Sequence, residues 1–122
     1  MKFSFRTLIL FAALSMGACT TVPSRFTPTP ELSSNGGYSI EAEDTKGFYL
    51  ETFYKSYSFV PNADDNIQEA KGYFIEVANY LARERSKTIK PIIKSQLRAD
   101  STRNIIDGYY AINVSGRVDF EP

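Results

Sequence analysis

Between Asn62 and Lys87 the chain reads NADDNIQEAKGYFIEVANYLARERSK, its clearest run of apolar residues at helical spacing. Ile67, Ala70, Phe74, Val77, Ala78 and Leu81 recur three and four positions apart, which aligns them as one stripe on an α-helix. Such a helix is stable only when the stripe is covered by another layer. The ends of the run agree with the assignment. Asn62 with Asp65, or Asp65 with Gln68, offers capping chemistry, and Asp64, Asp65 and Glu69 suit the positive end of the helix dipole. Arg83, Arg85 and Lys87 suit the negative end. Gly72 is the weak point, costing up to about 1 kcal/mol relative to Ala.

The flanks supply the covering layer. In YSIEAED, Tyr38, Ile40 and Ala42 alternate with polar residues as in a half-buried strand, and Thr45-Lys46-Gly47 makes the turn. FYLETFYKSYSFV follows, ending at Pro61. Its Phe48 and Leu50 share one face while Phe53, Tyr57 and Phe59 share the other, so either both faces are partly covered or a bulge shifts the register. After the helix, Ile93, Ser95, Leu97 and Ala99 alternate with Lys94, Gln96 and Arg98, predicting a strand that begins near Pro91. STRNIIDG reads as a loop, and YYAINVSGRVDF as the strongest strand, with Tyr110, Ile112, Val114, Val118 and Phe120 on one face. The predicted order is strand, strand, helix, strand, strand: an α+β domain of two layers, with one helix on a mainly antiparallel sheet.

A different signal occupies the start of the chain. Lys2 and Arg6 precede the apolar run TLILFAALSM, and the small residues Gly17 and Ala18 precede Cys19, the single cysteine. A cationic start, a short apolar centre and small residues at its end form a secretory signal. The run is too short for a spanning helix, which needs roughly twenty apolar residues. Met16-Gly17-Ala18-Cys19 resembles the lipobox of bacterial lipoproteins. The resemblance implies cleavage between Ala18 and Cys19 by signal peptidase II and lipidation of Cys19, which becomes the first residue of the mature protein. Thr20, where an Asp would favour retention in the inner membrane, implies an outer-membrane address facing the periplasm. The rest of the chain resembles small envelope lipoproteins without pointing to one family.

Three segments follow: 1–18 as a removed signal, 19–37 as a lipidated cysteine with a tether, and 38–122 as a single domain. The tether assignment rests on TTVPSRFTPTPELSSNGG, in which 12 of 18 residues are Thr, Ser, Pro or Gly. That composition favours an extended chain, with a reach on the order of 55 Å at about 3.1 Å per residue. With its one cysteine acylated the protein forms no internal disulfide, so packing and hydrogen bonds must hold the domain.

Familiar catalysis finds few materials here. The chain has no histidine, which removes the commonest general base and metal ligand together. Nucleophile-elbow and phosphate-loop patterns are absent. Glu41, Glu43 and Asp44 form the densest carboxylate cluster and read best as solvated acids of a strand. Asn62 to Asn66 imitates the start of a calcium loop, but Ile67 stands where glycine is needed and Tyr73 where the bidentate Glu is needed. No enzyme activity, cofactor or metal is expected.

Charge is distributed unevenly. Residues 31–76 hold nine acids and three bases, whereas 81–103 hold seven bases and two acids. The basic part, with Lys94, Arg98 and Arg103, is a candidate interaction surface, as are Tyr54, Tyr57, Tyr109 and Tyr110, whose rings are apolar and whose hydroxyls are not. The plainer reading of the same bases is a cationic helix end and the wet face of a strand. Export rules out nucleic acid as partner; an envelope protein, lipopolysaccharide or peptidoglycan remains, beside the membrane reached through the lipid. The expected function is a non-catalytic structural or protein-interaction role. The alternative is a small glycan- or lipid-binding module with a pocket near Tyr54 and Tyr110.

Overall fold

A computed structural model describes residues 22–57, 63–103 and 109–122. The signal segment, the cleavage position at Ala18, the lipidation position at Cys19 and the capping candidate Asn62 lie outside the described residues.

Among the described residues five strands make one antiparallel sheet: β1 (Thr27–Thr29), β2 (Ser33–Asp44), β3 (Gly47–Tyr57), β4 (Arg98–Arg103) and β5 (Tyr109–Asp119). Their order across the sheet is β1-β2-β3-β5-β4. The helix α1 (Ala63–Glu84) packs on β3, β5 and β4. The α+β class with an antiparallel sheet and one helix therefore holds, and the sheet has one strand more than expected.

The central pair is β3 with β5, in unbroken register from Gly47 opposite Asp119 to Tyr57 opposite Tyr109. Alternation then sorts the residues onto two faces. Phe48, Leu50, Ile112, Val114 and Val118 turn toward α1 and are fully or almost fully buried with Phe74, Val77 and Leu81 of its stripe. Phe53 points the other way and is nevertheless buried, by Val22 and Phe26. No bulge shifts β3; both faces are covered.

This corrects the tether assignment for the described part of 19–37. Residues 27–29 are a strand, β2 begins at Ser33 instead of Tyr38, and Val22 and Phe26 are buried. The small residues that argue against a core of their own let other residues' side chains approach. A Cβ on Gly36 would collide with the Tyr73 ring, and one on Gly37 would lie 2.8 Å from Val22 Cγ1. Pro28 is tolerated because β1 is an edge strand.

The segment between α1 and β4 also differs from expectation. In place of a strand from Pro91, one 3-10 turn spans Lys94–Gln96, closed by the Gln96 N–H on the Ile93 carbonyl and the Leu97 N–H on the Lys94 carbonyl. β4 starts only at Arg98 and takes in Ser101 to Arg103, expected as loop. Pro91 has no N–H to give a ladder, and Ile93, an alternating apolar residue in the sequence, is 55 % exposed.

α1 ends in a Schellman arrangement: the Lys87 N–H reaches the Ala82 carbonyl and the Ser86 N–H the Arg83 carbonyl, with Ser86 at φ 55°. Its first turns are pinned to β3, where Ser56 Oγ lies 2.8 Å from Asn66 Oδ1 and Tyr54 Oη donates to Glu69 Oε1 at 2.8 Å.

Candidate interaction surface

The register decides where the candidate residues stand. Arg98 lies opposite Ser115, and Arg103 opposite Tyr110. Arg98 therefore belongs to the sheet face away from α1, and Arg103 to the helix side, its guanidinium 5.8 Å from the centroid of the Tyr110 ring. Lys94 is exposed on the 3-10 turn that leads into the same strand. The three bases thus meet along one sheet edge, β4, and not on one face.

The tyrosines separate further. Tyr54 faces α1, its ring 5.0 Å from that of Tyr73. Burial, and then the hydrogen bond to Glu69, push its hydroxyl up to about 12. Tyr73 is likewise raised, chiefly by burial, and shares a hydrogen bond with the Thr29 hydroxyl. Both phenols stay protonated and act as fixed struts. Tyr109 is on the opposite face, with Lys55 Nζ 4.6 Å from its ring centroid. Tyr57 pairs with Tyr109 along the backbone of β3 and β5. Tyr110 is not an exposed contact at all: it is 7 % exposed and belongs to the core with Ile112, because it lies one position along a strand whose faces alternate.

Nor do the three clustered carboxylates converge. Glu43 accepts two hydrogen bonds from Arg85, at 2.6 and 3.0 Å, and these hold it below the ordinary carboxylate range. Asp44 is held low first by the Lys46 backbone N–H, and Arg117 adds to the effect. Glu41 stands opposite Tyr49 on the face away from the helix. The cluster ties the β2–β3 turn to α1 and β5, and two of its three members serve as anchors for arginines. Among the described residues no group of three or more His, Cys, Asp or Glu side chains is placed to hold a metal ion.

The face away from α1 carries residues that the sequence did not single out. Arg25 makes two hydrogen bonds to Glu51, at 3.0 and 2.9 Å, and Asn113 adds a third at 3.1 Å. The Arg25 hydrogen bonds hold Glu51 below the ordinary carboxylate range. The guanidinium also lies 4.1 Å from the Phe26 ring centroid. Beside them, Gly37, Phe53, Asn113 and Asp100 form one cross-strand row through β2, β3, β5 and β4. The available signal is the unmatched Phe53, which calls for a cover; Val22 and Phe26 supply it without any sequence period that announces them.

Besides a concavity of about 450 Å³ lined by Lys46, Lys87, Lys90 and Phe120, two smaller ones are open on the fold. One of about 250 Å³ lies between the 3-10 segment and β5, walled by Ile92, Ile93, Leu97 and Arg117. Another of about 260 Å³ is lined by Leu32, Tyr54, Glu69, Tyr73 and Glu76. No helix among the described residues is long and apolar enough to cross a membrane. No family model, no curated protein and no solved structure matches the chain.

Proposed function

We propose that the protein is a lipid-anchored component of the bacterial envelope, held by Cys19, that works without catalysis by binding an extended segment of another envelope protein along β4. The observation that carries the binding part is the edge itself. Among the described residues β4 pairs with β5 on one side only, five of its six residues are exposed, and it presents Arg98 and Arg103 beside the exposed Ile93. An edge strand offers a row of backbone donors and acceptors that another chain completes, and side chains at alternate positions then confer selectivity. The anchoring part is supported by the lipobox resemblance at Met16 to Cys19.

The alternative of a glycan- or lipid-binding module with its pocket near Tyr54 and Tyr110 has less support. Ligand pockets run from about 300 to 1,000 Å³. The Tyr54 groove, at about 260 Å³, falls short of this, and Tyr110 is packed in the core instead of lining it.

Photo-crosslinkers at Ser101 and Arg103 in cells, with Arg83 on α1 as control, test the binding part. A discrete adduct to one protein from both β4 positions and none from Arg83 is the expected outcome. Adducts of equal yield from all three positions, or none, defeat it. The anchor is tested separately by Cys19→Ser, which should lose lipid labelling and sedimentation with membranes.

A further inference from the structure

We propose that the outer face of the sheet, the one covered by Val22 and Phe26 and not by α1, lies directly against the lipid headgroups of the membrane. The proposal rests on the reading of Cys19 as the lipidated residue. It follows from how little chain separates that residue from the fold. Consecutive Cα atoms are about 3.8 Å apart, so the three steps from Cys19 to Val22 span at most roughly 11 Å. Val22 is 8 % exposed, forms one cluster with Phe26 and Phe53, and would have its Cγ1 2.8 Å from a Cβ on Gly37 of β2, which places it on the outer face of the sheet. A helix is about 10–12 Å thick. With α1 toward the membrane, the sheet and the helix together would stand between Val22 and the headgroups, more than the connecting chain can bridge. With the outer face toward the membrane, the chain reaches.

The chemistry of that face fits a headgroup layer better than the hydrocarbon below it. Arg25 is paired with Glu51, Arg98 with Asp100, and Arg117 with both Asp44 and Asp119. Such a face is polar and locally neutralised, so it neither inserts nor depends on anionic lipid; proximity comes from the short connection to the acyl chains. The orientation has a consequence for β4. With the sheet lying parallel to the bilayer, the β4 edge, unpaired among the described residues, points sideways, toward partners held in or near the same membrane.

The test uses the full-length lipidated protein in phosphatidylcholine vesicles. With Cys19 acylated on sulfur, a single added cysteine is the one reactive thiol. Thr102→Cys puts it on the outer face, opposite Ala111, and Arg83→Cys puts it on α1; both positions are exposed in the fold. A bulky, membrane-impermeant maleimide should modify Thr102→Cys several-fold more slowly than Arg83→Cys. A flexible Gly/Ser spacer inserted between Thr21 and Val22 should remove the difference. The mass of the purified protein reports the lipid independently. If the lipid is present and the two thiols react alike with and without the spacer, the proposed orientation is wrong and the anchor stands. If the mass shows Cys19 without lipid, the anchor reading fails and takes the orientation with it.

Discussion

The two faces of the sheet are buried by different means. On one side a helix of 22 residues lays a continuous stripe over β3 and β5, and Phe48, Leu50, Phe74, Val77, Ile112 and Val114 are all fully buried beneath it. On the other, two side chains four positions apart, Val22 and Phe26, cover Phe53. The first cover is a regular element with its own hydrogen bonds and caps. The second is an irregular segment held by what it touches: one ring pair, with Phe26 and Phe53 centroids 5.7 Å apart, and the Arg25 clamp on Glu51. A regular element contributes to cooperative folding, whereas a segment held by a few side chains opens on its own. The same sheet therefore has a stable side and a side set to loosen first.

The largest effect expected is at Phe74. Phe74→Ala removes a fully buried ring from between α1 and the sheet and should cost about 3–5 kcal/mol in denaturant unfolding. The loss is global, so hydrogen exchange should accelerate in α1, β3 and β5 together. Phe26→Ala should cost less, about 2 kcal/mol, since it forfeits the burial of one side chain at the margin of a small cluster and the neighbours can close in. Its exchange pattern should differ in kind: β1 and the residues before it lose protection while α1 keeps its own. Equal, global acceleration from both substitutions would show that the two covers belong to one cooperative unit.

How legible these two sides are in the sequence follows from the same contrast. The stripe from Ile67 to Leu81 announces α1 because apolar residues three and four apart over several turns line up on a helix and scatter over both faces of a strand. The alternation in Tyr110 to Phe120 announces β5 by the converse rule, a period of two. Val22 and Phe26 make no period, and the residues around them are small and polar, so the segment reads as tether until Phe53 is seen to need a cover. β4 fails in another way. The alternation from Ile93 to Ala99 is real, but Pro91 and the 3-10 turn displace the strand to Arg98–Arg103, where RADSTR has no apolar alternation to detect. Charge and ring chemistry single out the candidate interaction residues one by one. Their separation into Tyr54 on one face, Tyr109 on the other and the arginines along an edge depends on register, which composition does not carry.

A smaller comparison lies within α1. Gly72 sits in its interior, where a Cβ would meet nothing within 4 Å, while Ser86 at its end holds the left-handed φ of 55° that glycine adopts without strain. Each residue suits the other's position. Gly72→Ala should stabilise the protein by about 0.5–1 kcal/mol through the lower entropy of the unfolded chain, and Ser86→Gly should give a gain of similar size by relieving the backbone. Both are read from the denaturant midpoint at constant slope. A loss from Gly72→Ala would mean that the groove between Tyr54 and Glu76, which Gly72 lines, has less room than its geometry shows.

The smallest effect is the dependence of the weaker side on pH. Glu51 is held below the ordinary carboxylate range by Arg25, with Asn113 assisting. A carboxylate with a depressed folded pKa contributes stability that is fully present above its unfolded value, near 4.3, and is lost as pH falls through the lower folded value. Below about pH 4.3 the Arg25 clamp should therefore weaken while the apolar stripe of α1 does not respond. Glu43 and Asp44 are depressed as well, so acid also loosens the β2–β3 turn, and global unfolding alone cannot assign the effect. Glu51→Gln separates them. It keeps an oxygen to accept from Arg25 but removes the titration, so protection of the residues before β1 should become independent of pH over this range while that of the β2–β3 turn still falls. The same acid loss in the N-terminal segment of Glu51→Gln would mean that another titrating group causes it and that the Arg25 clamp on Glu51 is not what responds to pH.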